Sequence, residues 1–396
     1  MSIDNKTALI VGAGIAGSSL AFQLAKRDYQ VTLLDDNNHD EIEIFFNKAV
    51  EVSPHFMLNN TSYNALMTKA SKFSYQLIKD FNFSKKDSLM DGVVKLYEEN
   101  ESEKLIEKVA SLDIEKSAFK YLQKEIIKKK YRIDDKAGIY FKYGGWVSPK
   151  KLCSTLIKHK NIKFIPKSSV VKIGQKKAQW IISCQNSNNY NASNLIFCNS
   201  FSINKIDLFK DIYLKKNRGQ INWLPSNGNT KYKEIISDKG YLIPNVEGLD
   251  IFGSTYERDN ENKELSVSDF EKNLKTYKKL GGERFDQNKS IVKGWVGMRA
   301  VTHDRNPLVG KVLDNSNDLN KKPHSLNELS YYPNLFINIG YGSRGYTLAP
   351  FISKSLASMI DSTESSEDEF FLNYLNPYRS WFKKIGLRKQ MLLNTI

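Results

Sequence analysis

Residues 8–27 read ALIVGAGIAGSSLAFQLAKR, and this stretch decides the architecture. Residues 8–11 are an apolar run of strand length. Gly12-Ala13-Gly14-Ile15-Ala16-Gly17 follows at once, and Leu20 and Leu24 then recur at helical spacing. Strand, tight turn and helix in that order make a dinucleotide fingerprint. Gly12 permits the turn, Gly14 lets a pyrophosphate approach the backbone, and Gly17 lets helix and strand pack closely. Ala13, Ile15 and Ala16 complete the loop, whose helix N-terminus favours negative charge. A second strand, residues 31–34, ends at Asp35, about 20 residues beyond the glycines, where a ribose-binding carboxylate is expected. Asp36 is the competing acid, and Asp35 is preferred because it directly ends the strand.

Outward from the fingerprint, residues 60–130, with FSYQLIKDF and LQKEIIKKK, read as a predominantly helical cap or insertion. GGWVSPKKLCSTLIKH opens a further helix, with Ser148 as N-cap, Pro149 at the first position and Leu152 and Leu156 as the apolar stripe. IKFIPKSSVVKI and AQWIISCQ read as strands. Residues 195–198 form a buried parallel strand leading into Asn199 and Ser200, the kind of polar turn at which open α/β sheets bind ligands. Residues 218–294 hold strand-like pieces, RGQINWL, GYLIPN and DIFGSTYE, and one helix about residues 270–279. The chain returns to the nucleotide domain near Pro307 and ends in a helix through residues 353–360 and a basic aromatic tail, YRSWFKKIGLRK. The expected fold is α/β: a Rossmann-like domain (residues 1–80, 147–212 and 300–396) interleaved with an α+β mixed-sheet substrate or cap domain (residues 81–146 and 213–299).

A chain of 396 residues with 40% hydrophobic content suits two domains. Three cysteines without CxxC spacing indicate neither a disulfide framework nor a zinc site, as fits a reducing cytoplasm. The opening MSIDNKTALIVGAGIAG lacks the basic start and unbroken apolar stretch of a secretory signal, and no run reaches the ~18 apolar residues of a membrane span. The protein is expected to be soluble and cytoplasmic, with no membrane contact. A formal net charge of +15 points to a polyanionic partner, although Lys, Asn and Ile are abundant throughout.

Two glycine-punctuated segments, GWVGMRAVTHDRNPLVG (294–310) and INIGYGSRGYTLAP (337–350), each carry an arginine in apolar or small surroundings, Arg299 and Arg344. A buried guanidinium needs a carboxylate, phosphate or electron-rich ring opposite it. The five histidines do not cluster at metal-ligand spacing, so no metal is expected; only His303 sits near a proposed site, as a loop histidine or, less simply, a catalytic one. Two patches mix cations with an aromatic: Lys128, Lys129, Lys130 and Arg132 around Tyr131, and Arg379, Lys383, Lys384, Arg388 and Lys389 around Trp381. Each reads either as an RNA surface or as a solvated basic face.

Taken in order, GAGIAG, GGWVSP, LIFCNS, RGQINWLP, GSTYERDNE, GMRAVTHDRNPLVG, GYGSRGYTLAP and LNPYRSWFKK resemble the D-amino-acid oxidase and glycine oxidase superfamily of FAD enzymes. Within it, the chain resembles most the FAD-dependent oxidase domain of the bifunctional tRNA wobble-uridine modification proteins, MnmC. The resemblance implies FAD, and tRNA as partner through its anticodon loop. The implied reaction converts carboxymethylaminomethyl-uridine at the wobble position, with or without 2-thiolation, to aminomethyl-uridine with release of glyoxylate. Because the fingerprint starts within ten residues of Met1, the methyltransferase domain of those relatives is expected to be absent, and a separate methyltransferase would act next. Two departures stand out: EIEIFFNKAVEVSP, with only Asn47 and Ala49 of comparable character, where the family has a glycine-rich loop, and Asp28 where a glycine commonly ends the first helix.

The same resemblance assigns roles. Arg299 becomes the clamp on the substrate carboxylate, with Tyr241 beside it and Tyr256 a weaker candidate. The alternatives are an ion pair of Arg299 with Asp304 or Glu257, and a core tyrosine at 241. Cofactor contacts fall on the fingerprint, Asp35 or Asp36, Val170, Asn199, and the loop Gly342, Ser343, Arg344, Gly345 and Tyr346. Arg344 would face the flavin edge; otherwise the loop is a surface turn. Two rival functions share these features: a free glycine or amino-acid oxidase, and a non-catalytic tRNA-binding protein that has lost the flavin.

Overall fold

The computed structural model describes residues 6–388, apart from residues 58–59, 99–103, 105–106, 108–114, 177, 211, 227–231, 283–291, 315–322, 324 and 326–327. The fingerprint strand, Thr7–Val11, lies inside a six-stranded sheet between Asn194–Phe197 and Gln30–Leu34, parallel to both. The full order is Leu308–Leu313, Tyr331–Ile339, Asn194–Phe197, Thr7–Val11, Gln30–Leu34 and Ile162–Ile165. Ala8, Leu9, Ile10 and Val11 are all buried, as a strand covered on both faces requires. The helix Ile15–Ala25 packs its Leu20, Ala21 and Leu24 against one face, beside the helix Gly345–Ile360. Asp28 takes φ +64, the left-handed conformation a glycine would otherwise supply after a helix.

A nine-stranded mixed sheet forms the other half. Its path runs Glu257–Arg258, Lys215–Pro225, Leu249–Gly253, Tyr241–Val246, Ile235–Ser237, Val93–Tyr97, Ala137–Phe141 and Phe119–Leu122. Gly294–Val301 pairs antiparallel with the free edge of Lys215–Pro225. The helix Val267–Lys279 covers one face, tied there by Arg218, which is fully buried and ion-paired to Asp269 and Glu257. Among the described residues of 60–130 helix outweighs strand, as expected, but strands are set among the helices. The helices Thr61–Asp80 and Lys124–Tyr131 flank the strands Val93–Tyr97 and Phe119–Leu122, where burial of Val93, Val94 and Leu96 in the large sheet overrides the lysine-rich, helix-like composition.

A small sheet of Val50–Val52, Gly145–Val147 and Ser88–Leu89 leads into the helix Pro149–Leu156. Ser148 caps that helix, its hydroxyl accepting from the Lys151 amide, with Pro149 in the first turn as expected. The late helix runs Gly345–Ile360, longer than the stretch 353–360 and opening at Gly345 as expected. It is followed by Ser366–Tyr374 and Arg379–Lys384, so the basic tail begins as a packed helix. Among the described residues no helix is long and apolar enough to cross a membrane.

Candidate active site

The glycine turn has the shape the fingerprint requires. Gly12 adopts φ +102, and a Cβ there would lie 2.7 Å from the Cys198 carbonyl oxygen. A Cβ on Gly17 would lie 1.8 Å from the Gly12 carbonyl oxygen, so only glycine lets helix and strand approach this closely. A Cβ on Gly14 would meet nothing within 4 Å: the backbone faces open space at the helix N-terminus. That terminus has no side-chain cap and no acid in its first turn, and the same holds for Gly345–Ile360. The two ends meet where Gly345 packs against Ile15, so two positive helix ends converge without a counter-charge from the first turns.

Asp35 is 8% exposed and accepts from the amides of Ala13 (2.8 Å) and Asn37 (3.0 Å), which fixes its carboxylate beside the turn. Burial raises its pKa. Asp36 is exposed and accepts from Asn37 Nδ2 at 2.9 Å. Val170, buried, begins a strand two residues after Ser168, whose amide donates to the Asp35 carbonyl. Asn199 follows the Asn194–Phe197 strand beside Gly12, and its Oδ1 is buried without a hydrogen-bond partner. An orphaned acceptor, an acid aimed at the turn and an uncapped helix fit a bound dinucleotide. Ala16 and Tyr346 are buried, Tyr346 with its hydroxyl 3.9 Å from Cys153 Sγ.

Arg299 is delivered by the Gly294–Val301 strand, opposite Asn217. Its guanidinium lies over Gly219, where a Cβ would come 1.9 Å from Nη1. Nη2 donates to Ser254 Oγ at 2.7 Å and Nη1 to the Thr255 carbonyl at 3.3 Å. Among the described residues no carboxylate partners it. Asp304 is held by Arg379 and Glu257 by Arg218, which removes both structural ion pairs considered for Arg299. Burial lowers the Arg299 pKa, and the neighbouring Tyr241 and Tyr256 oppose that shift. Tyr241 is close enough to feel both Arg299 and Glu51; burial raises its pKa, so its hydroxyl is a neutral donor. Tyr256, with its ring centroid 5.7 Å from Arg299 Cζ, accepts a hydrogen bond from Asn217.

Arg344 faces the Tyr63 ring at 5.2 Å, and its Nη1 is buried with no hydrogen-bond partner. With Tyr341, Gly342 and Ser343 it floors a cavity of about 260 Å³, whose other lining includes Tyr256, Arg258 and Arg305. The loop is therefore not merely a surface turn. The glycine-poor segment reaches this region: Ser53, one residue beyond Val50–Val52, donates its amide to Thr347 Oγ1 at 3.1 Å in the first turn after Arg344. Asn47 and Ala49 are buried, the Ala49 amide bonding Asn47 Oδ1. His55 has an exposed face, yet protein packed around it, and then the charges of Lys95, Arg344 and Arg305, push its pKa down to about 3.

The first basic patch does not survive as an aromatic platform, and the second loses Arg379 while Trp381 stays half-buried. Tyr131 is 1% exposed and bonds Glu234, while Lys130 pairs with Glu234 and Lys128 with Asp134. Arg379 is 1% exposed and clasps Asp304 through Nε (2.7 Å) and Nη2 (2.6 Å). Lys383 and Lys384 are exposed; Lys389 and His324 lie outside the described residues. His303 is exposed, and no metal-holding cluster occurs among the described residues. Sequence reasoning missed Gly219, Ser254, Arg258 and Arg305. RGQ and GST were quotable signals for the first two, but their meeting with Arg299 depends on strand register. The three cysteines are free and buried.

The family described as "DAO: FAD dependent oxidoreductase" matches residues 7–359. The tRNA 5-methylaminomethyl-2-thiouridine biosynthesis bifunctional protein MnmC of Legionella pneumophila (strain Lens) is 26% identical over 402 residues, covering 96% of this chain and 58% of the relative. This chain thus spans just under three fifths of that relative's length. Among solved structures, glycine oxidase from Geobacillus kaustophilus superposes with TM-score 0.70 at 15% identity, covering 90% of this chain and 95% of that one. Iminodiacetate oxidase from Chelativorans sp. BNC1 gives TM-score 0.71 at 18% identity, covering 90% and 96%. These two share the fold. With the family matched from the fingerprint strand to the end of the late helix, the chain belongs to the DAO family of FAD dependent oxidoreductases.

Proposed function

We propose that this enzyme oxidises the carboxymethylaminomethyl group of a wobble uridine in tRNA, with or without 2-thiolation, to the aminomethyl group, releasing glyoxylate. The observation that carries the reading is the Arg299 guanidinium, seated over Gly219, with no carboxylate opposite it among the described residues and a neutral tyrosine beside it. An N-substituted glycine supplies the missing carboxylate. The name of the Legionella relative, a 2-thiouridine biosynthesis protein, supports tRNA as its carrier.

FAD, when bound, supplies the two-electron acceptor for hydride loss from the carbon between amine and carboxylate. The chain's residues hold the substrate for that loss. Arg299 offers a planar, bidentate grip on the carboxylate, with Ser254 and Thr255 fixing the fork, and Tyr241 adds one donor. Water then adds to the resulting imine and splits it into glyoxylate and the primary amine. The Ala13–Gly17 turn and Asp35 would hold the diphosphate and ribose, and Arg344 with the uncapped helix behind it would stabilise negative charge on the reduced ring. A second reading, oxidation of free glycine or a small amino acid, rests on the fold shared with glycine oxidase.

Incubation with tRNA carrying the carboxymethylaminomethyl group, and separately with glycine and sarcosine, distinguishes them. Nucleoside mass spectrometry is expected to show aminomethyl-uridine and one glyoxylate per conversion. Turnover of the small amines with unchanged tRNA would establish the second reading instead.

A further inference from the structure

The large sheet places a second arginine in line with the clamp. Asn217 stands directly opposite Arg299 on one neighbouring strand and Arg258 on the other. Directly opposed residues of antiparallel strands project from the same face, so Arg258, Asn217 and Arg299 form one row, with about 10 Å between the outer two backbones. Glu257, on the reverse face, is taken by Arg218, whereas Arg258 is exposed and has no hydrogen bond or ion pair among the described residues. Tyr256 shares the Arg258 face; it is 49% exposed and fixed between the two arginines by Asn217 and the Arg299 guanidinium.

A third cation reaches the same rim from the other half of the molecule. Arg305, exposed and likewise without a partner among the described residues, sits at φ +63 in the turn after the clamp strand. That turn is tightly fixed. Thr302 Oγ1 donates to the Asn306 carbonyl at 2.6 Å, Asp304 accepts from the Asn306 amide, and the buried Arg379 clasps Asp304. The cavity bounded by Tyr256, Arg258, Arg305 and Arg344 has no carboxylate in its lining. With Arg299 given to the substrate carboxylate and Arg344 to the flavin, Arg258 and Arg305 remain at this opening as cations beyond what the amino-acid group requires.

We propose that Arg258 and Arg305 form a phosphodiester subsite, with Tyr256 as the platform for the modified uracil. They would select a polynucleotide over a free amino acid at the site proposed above, and the inference rests on that reading. The spacing suits it: arm, ring and ribose put about a dozen bonds between the side-chain carboxylate and the nucleotide's own phosphate, a path of about 18 Å at about 1.5 Å per bond, which spans a gap on the order of 10 Å with room to bend. With the carboxylate on Arg299, the phosphate reaches the rim, and the exposed face of Tyr256 lies alongside the ring between them.

The test compares the flavin-loaded wild type with Arg258→Ala/Arg305→Ala and Arg258→Lys/Arg305→Lys. Each is assayed on carboxymethylaminomethyl tRNA and on the free carboxymethylaminomethyl-uridine nucleoside, which has no phosphate. The alanine pair is expected to lower kcat/KM for tRNA about 10- to 100-fold relative to that for the nucleoside, mainly through KM. It should also flatten the log–log salt dependence by about one to one and a half. The lysine pair should regain most of the loss, since a point charge still holds a phosphate. An alanine pair whose tRNA kcat/KM and salt slope match the wild type overturns the subsite while leaving the tRNA reaction standing. A wild type that oxidises the nucleoside but never tRNA overturns the underlying reading as well.

Discussion

A guanidinium enclosed by protein without an anion costs the fold several kcal/mol, and among the described residues Arg299 carries that cost with Ser254, Thr255 and two tyrosines for company. Arg299→Ala is therefore predicted to lose about 2 to 5 kcal/mol of transition-state stabilisation, read as kcat/KM, while thermal stability holds or improves. Gly219→Ala tests the seat rather than the charge. The new methyl would stand 1.9 Å from Nη1, the mobile end of a long side chain, so the guanidinium shifts and the strands stay. Activity should fall at least about tenfold with little change in Tm, since a misplaced clamp costs attack geometry. Arg299 and Asp35 were legible in the sequence because a motif surrounds each. Ser254 and Gly219 were not, because register brings residues 219, 254 and 299 together. Arg379 and Tyr131 misled for a related reason: a cation beside an aromatic looks the same whether it faces solvent or an acid folded in from elsewhere.

At the scale of elements, the glycine turn was fully legible, since its strand, helix and acid are contiguous. Gly17→Ala is predicted to abolish flavin retention, because its Cβ would fall 1.8 Å from the backbone oxygen of Gly12, which cannot move without parting helix from strand. Purified protein without flavin absorbance checks it. Within 60–130 the helices were legible and the strands were not, because these become strands only through pairing with Ala137–Phe141 and Ile235–Ser237, contacts no local pattern contains. The turn at Thr302–Asn306 makes a pH prediction. Burial alone would raise the Asp304 carboxyl, but the hydrogen bonds and charge of Arg379 outweigh it and hold the pKa at about 2, below the usual 3.8. A depressed carboxylate stabilises the fold above its unfolded pKa and stops doing so as pH falls through its folded one. Stability should thus drop by about 2 kcal/mol between about pH 4 and pH 2 from this group. Asp304→Asn should lack that slope in acid unfolding, and leaving Arg379 without its acid should destabilise by about 3 to 5 kcal/mol at neutral pH.

For the whole molecule, the nucleotide sheet brings the open glycine turn and Arg344, and the nine-stranded sheet brings Arg299, Tyr241 and Tyr256. The junction of the two creates the site. The order of motifs announced both halves, yet the cavity and its rim arginines belong to neither alone, which is why Arg258 and Arg305 carried no signal in the chain. The net charge of +15 acts at this scale too, and tRNA turnover should slow steeply with added salt while nucleoside turnover does not. The clamp on one sheet is predicted to grip a carboxylate against a flavin held by the other. Titrating the flavin absorbance with methoxyacetate, in which an ether oxygen replaces the oxidisable amine, reads both halves at once. A saturable spectral shift in the wild type, weakened about 30-fold or more in Arg299→Ala, is the predicted result. The same dissociation constant in both proteins would contradict the account.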